Sequence, residues 1–83
     1  MPGSKKIQRV QTGLRLEKRL LKVLKGLAEY YDMTLGDLLE GIVLHAFEGK
    51  APFGGKDLER IQDLKKIYDL DLTAKDSHQL KEF

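Results

Sequence analysis

The chain has 83 residues, 41% of them hydrophobic and 34% charged, with three Tyr, three Phe, and neither Cys nor Trp. A domain of this size buries only about 60% of the surface its unfolded chain exposes, which argues against a large enclosed active site, and the lack of Cys excludes disulfides, thiolate metal sites and a cysteine nucleophile. The net charge of +2 is polarised: residues 1 to 25 carry eight basic groups and one acidic group, net +7, while residues 26 to 83 carry seven basic and twelve acidic groups, net −5.

A basic segment joined to an acidic body suggests a polyanionic partner, because attraction to phosphate grows with the number of positioned Lys and Arg groups. Residues 1 to 8, with Lys5 and Lys6, read as a flexible basic arm with no apolar export segment behind it. The longest mainly apolar stretch, Leu38 to Phe47, is broken by Glu40, Gly41 and His45, far short of the run of about 18 that a membrane helix needs. No membrane association is expected, and cytoplasmic residence is.

In residues 9 to 16, Val10, Thr12, Leu14 and Leu16 alternate with Arg9, Gln11, Gly13 and Arg15, the period-two pattern of a half-buried strand. Ile7, Val10 and Leu14 also fit the competing reading of a basic helix, against which Thr12 and Gly13 count. From Glu17 to about Tyr31 the period changes, and Leu20, Leu24, Leu27, Ala28 and Tyr31 form one helical face. Asp32 suits the left-handed conformation at a helix end, and Thr34-Leu35-Gly36-Asp37 is a capping-box variant opening a second helix. Its apolar stripe includes Leu35, Leu38, Leu39, Ile42, Val43, Ala46 and Phe47, and Gly41 within it suggests close packing against another helix.

Residues 50 to 56, with Pro52, Gly54 and Gly55, read as a linker, and residues 57 to 83 as a helical C-terminal extension. Leu58, Ile61, Leu64, Ile67 and Tyr68 give an amphipathic helix over about 57 to 69, and Thr73 to Asp76 is a second cap that would open a short last helix bearing Leu80 and Phe83. His45 and Glu48 form an i, i+3 pair with no third ligand, so neither a metal nor a cofactor is expected. The carboxylates from Asp57 to Asp71 alternate with Lys and Arg, as on a solvated, charge-balanced face. No nucleophile, base or phosphate-binding glycine loop is recognisable, so no enzymatic activity is expected.

A lone strand cannot satisfy its own backbone groups, so the expected partner is a second copy. Two copies of residues 9 to 15 would pair as an antiparallel ribbon over four helices. Val10, Thr12 and Leu14 would then join Leu20, Leu24, Leu39, Val43 and Phe47 in a dimer core, with Arg9, Gln11, Gly13 and Arg15 facing outward. Arg binds guanine and Gln binds adenine in a bidentate manner in the major groove, which a two-stranded ribbon can enter.

Residues 8 to 48, through the alternating Gln11 to Arg15, the Leu16 to Leu21 helix entry and the Asp32 to Asp37 junction, resemble the ribbon-helix-helix DNA-binding proteins. The resemblance implies a mostly α fold with one short strand, a homodimer that binds double-stranded DNA, and most often a repressor of transcription. It implies base contacts by Gln11, Gly13 and Arg15, where Gly13 departs from the pattern by offering no side chain, and Arg9 one pleat earlier would add a contact. It also implies a phosphate held at Thr34, Leu35 and Gly36, with Lys5 and Lys6 adding attraction. Dimers could assemble further on DNA. The alternative is an antitoxin or adaptor whose residues 50 to 83, with seven basic and seven acidic groups, bind a protein partner.

Overall fold

In the computed structural model, which describes residues 5 to 82, a first helix α1 spans Lys18–Tyr30, α2 spans Leu35–Phe47, α3 spans Gly55–Ile67, and a single 3-10 turn covers Ala74–Asp76. There is no strand among the described residues. This corrects the expected ribbon-helix-helix class, in which residues 9 to 15 form a strand. Residues 5 to 16 form neither strand nor helix, and the competing basic helix is absent too. The physical reason is the one that made the strand conditional: a ladder needs a second row of donors and acceptors, and no other strand among the described residues supplies one. The fold is three helices, with α1 packed against both α2 and α3.

Each helix boundary has a local cause. Glu17 caps α1, its Oε1 accepting from the Leu20 N–H at 2.9 Å, which places a carboxylate at the positive end of a helix with no acidic residue in its first turn. All three helices stop the same way. Asp32, Gly49 and Asp69 take positive φ, and the next residue's N–H reaches back across the last turn: Met33 to the Ala28 carbonyl, Lys50 to His45 and Leu70 to Lys65. Thr73 N–H donates to Asp76 Oδ2 at 2.8 Å, but that cap opens only the 3-10 turn, not the expected last helix. Leu80 lies beyond the turn, and Phe83 lies outside the described residues.

The core is small. Val23, Leu27, Ala28, Leu38 and Leu70 are the buried apolar residues, and Leu27 alone among large side chains is almost fully enclosed, at 1% exposure. The close approach comes from Gly26, where an added Cβ would stand 3.0 Å from Leu64 Cδ2 of α3. Gly41, the position expected to admit a neighbouring helix, faces open space within the chain.

Polar contacts lock the end of α1 to the start of α3. Arg60 Nε donates to Tyr30 Oη at 2.8 Å with its guanidinium over the Tyr30 ring, and the Tyr31 hydroxyl donates to Asp57. That bond raises the Tyr31 pKa, with burial and the Asp57 charge acting the same way. Asp57 Oδ2 also receives the Gly54 N–H, so this carboxylate is a structural tie and not only part of a solvated face.

Replacing Leu27 by Ala is expected to cost about 2–5 kcal/mol in urea unfolding, because the cavity would open where α1 meets both neighbours; a cost below about 1 kcal/mol would show that the core is not centred there. A second expectation concerns acid. The Glu17 carboxylate is held below the usual range mainly by the Leu20 N–H bond, then by Arg19. Folding therefore favours its ionised form, and that contribution is present above the ordinary carboxylate pKa and lost as the pH falls through the lowered value. In Glu17→Gln, helicity followed by circular dichroism from about pH 6 to pH 3 should fall less steeply than in the wild type.

Candidate nucleic-acid interface

The backbone of residues 10 to 14 runs alongside α1 and α2 and forms one wall of an open cleft of about 570 Å³. Leu21 and Lys25 of α1 form a second wall, and Leu35, Gly36 and Leu39 of α2 a third. Residues from both groups expected to touch DNA therefore line it together: Gln11 and Gly13 from the N-terminal segment, and Leu35 and Gly36 from the start of α2. Gly13 has nothing within 4 Å of an added Cβ, so an adjoining surface can approach its backbone closely.

The start of α2 is built as its sequence suggests. Thr34 Oγ1 accepts from the Asp37 N–H at 3.1 Å, a one-way cap without the return bond of a full capping box. Leu38 N–H bonds the Thr34 carbonyl in the normal helical way, while the Leu35 and Gly36 N–H groups are the first of the helix and precede its internal ladder. The helix therefore begins at the cleft, with Leu35 and Gly36 on its lining, and a helix N-terminus with free amide donors is a place that suits an anion.

The arginines behave differently from the lysines. Arg9 forks onto Glu40, with Nε to Oε2 at 3.0 Å and Nη2 to Oε1 at 2.9 Å, and it lies 3.5 Å from Asp37. The bond from Arg9 is the main reason that the Glu40 carboxyl sits below its ordinary range, and in turn it raises the Arg9 pKa. Arg9 therefore pairs with two acids of α2, does not line the cleft, and is not an open base-reading group in this arrangement. Arg15 is not on the cleft either, and its guanidinium pairs with Glu82 near the chain end, both side chains being strongly exposed. Arg19 bonds Glu17, the Asp69 carbonyl at 2.9 Å and Asp71 at 3.0 Å.

Lys5, Lys6 and Lys18 are exposed, and no lysine forms an ion pair among the described residues. The residues expected in a dimer core divide within the single chain. Val10, Leu14 and Phe47 are 77%, 63% and 81% exposed, Thr12 and Val43 are exposed as well, and Leu39 is half-buried in the cleft. Leu20 and Leu24 line a separate apolar cavity. Lys25 and Leu21 were not singled out as site residues. Lys25 belongs to the polar face of an amphipathic pattern, and only the path of residues 10 to 14 puts it beside Gln11.

His45 Nδ1 lies 2.7 Å from the Gly41 carbonyl, and no cluster of three or more metal-ligating side chains occurs among the described residues. No helix among them is long and apolar enough to cross a membrane. No protein-family model, curated protein or solved structure matches the chain significantly.

Removing the cap with Thr34→Ala is expected to cost about 1 kcal/mol in chemical denaturation, since the Asp37 N–H then loses its side-chain acceptor. Thr34→Ser should retain most of that stability; equal losses in the two variants would mean that the hydroxyl bond is not what matters at this position.

Proposed function

We propose that this chain is a homodimeric protein that binds double-stranded DNA with sequence preference and represses transcription. The observation that carries the reading is the shared cleft: Gln11 and Gly13 of the N-terminal segment line it together with Leu35 and Gly36 from the start of α2 and Lys25 of α1. The DNA-facing element in this reading is the irregular segment of residues 9 to 16 as it lies in the fold, with no paired strand required of it. Exposed lysines supply non-specific phosphate attraction, while Gln11 and Arg15 have side chains suited to bidentate contact with adenine and guanine.

The ion pair of Arg15 with Glu82 is no obstacle to this role. An exposed pair in water contributes little, so exchanging Glu82 for a phosphate or a guanine edge is cheap. The resemblance of residues 8 to 48 to ribbon-helix-helix proteins supports DNA as the partner. Exposed Val10, Leu14, Val43, Leu44 and Phe47 support a second copy, since this much apolar surface is costly to leave in water on so small a domain. Cytoplasmic residence follows from such a partner. The C-terminal segment is engaged by its own chain, with Leu70 buried and Arg19 bonded to Asp69 and Asp71, which favours DNA binding over an adaptor whose tail folds on another protein.

Fluorescence anisotropy on duplex DNA from the gene's own upstream region, at several salt concentrations, tests the proposal. The wild type is expected to bind with a steep salt dependence, and Arg15→Ala to lose about 1–3 kcal/mol on the preferred sequence while relaxing specificity. Lys6→Ala should weaken all sequences alike. Equal losses by Arg15→Ala on preferred and random DNA would remove its base-reading role, and wild-type binding no tighter to upstream DNA than to random duplex would reject sequence preference.

A further inference from the structure

A second cavity, of about 440 Å³, lies between α1, α3 and residues 70 to 80, away from the cleft that carries the DNA proposal. Its volume falls within the range of about 300–1,000 Å³ common among small-molecule sites. Leu20, Val23, Leu24 and Leu27 form its α1 wall, and Ile61 and Leu70 lie opposite. The lining is aliphatic apart from a few groups that include Lys65, His78 and Asp76.

The charges on that lining are unequal in what they lack. Asp76 is satisfied within its own turn, accepting from the Thr73 N–H at 2.8 Å and from the Thr73 hydroxyl at 3.4 Å. Lys65 is half-buried, and its ammonium donates to the Leu72 carbonyl at 3.2 Å. Neither it nor Asp76 forms an ion pair among the described residues, but the Asp76 carboxylate accepts two hydrogen bonds while the ammonium makes only one. An ammonium offers three donors, and one drawn partly out of water beside an aliphatic cavity favours an anion as its second partner.

We propose that this cavity binds an aliphatic carboxylate, with the chain among the leucines of α1 and the carboxylate on Lys65. The site is independent of DNA, so its test stands or falls apart from the function proposed above.

The experiment is calorimetric titration of the full chain with decanoate and with decanol, both kept below the concentration at which they aggregate, together with methyl NMR. Saturable binding of one decanoate per chain is expected, with decanol at least about tenfold weaker, because it presents no negative charge to Lys65. Methyl shifts should concentrate at Leu24, Leu27 and Leu70. Lys65→Met, checked for helicity, is expected to lose about tenfold for decanoate and little for decanol. Decanol binding as tightly as decanoate, no binding of either, or shifts confined to the exposed Val10, Val43 and Leu44 would each overturn the proposal. If Lys65→Met fails to fold, the comparison of the two ligands on the wild type decides alone.

Discussion

The fold depends on α1 being packed on two sides at once. Leu27 is enclosed because α2 approaches one flank of the helix and α3 the other, and neither neighbour packs on the other. Gly26 favours this by letting Leu64 come within contact of the α1 backbone surface, where an added Cβ would require the Leu64 side chain to shift. With only a handful of buried side chains to share the burden, the rest of the structure inherits its geometry from this helix. The cleft beside residues 10 to 14 borders one flank of α1 through Leu21 and Lys25, and the aliphatic cavity borders another through Leu20, Val23, Leu24 and Leu27.

Electrostatics follow a different logic from packing. The three arginines of the basic N-terminal region reach remote acids: Arg9 to Glu40 and Asp37, Arg15 to Glu82, Arg19 to Asp71. The planar fork of a guanidinium suits a carboxylate, whereas an ammonium is a compact and strongly hydrated charge. The lysines are left to the solvent, except that Lys22 lies over the Tyr68 ring and Lys65 meets a carbonyl. The polarised charge of the sequence is thus partly folded back on itself, through exposed pairs that are individually weak and easily exchanged for another anion.

Much of the helical architecture was legible because it rests on local rules. The face of Leu20, Leu24, Leu27 and Ala28, the left-handed Asp32 and the Thr34 cap each depend on residues within a turn or two. The third helix begins two residues before its expected start, since Asp57 caps it from inside the first turn and not from ahead of it. Where the reading failed, the missing information was long-range. The alternation in residues 9 to 16 is genuine, yet alternation describes which faces a strand would have and not whether a partner exists to make it one. Which glycine admits a neighbour within the chain is likewise long-range information, because Gly26 and Gly41 both sit inside helices and only the position of Leu64 distinguishes them.

The candidate site shows the same division. Composition and order by themselves determined a small helical chain with a basic leading segment, helix boundaries set by caps and left-handed residues, and amide donors at the start of α2, because these arise from neighbours in sequence. Tertiary structure alone decided that Gln11 and Gly13 lie beside Leu35 and Gly36, that Arg15 and Arg19 face the C-terminal segment, and that Lys65 borders an aliphatic cavity. Those juxtapositions join residues from about 20 to almost 70 positions apart, and a distance of that kind is set by how helices pack, which no local pattern encodes.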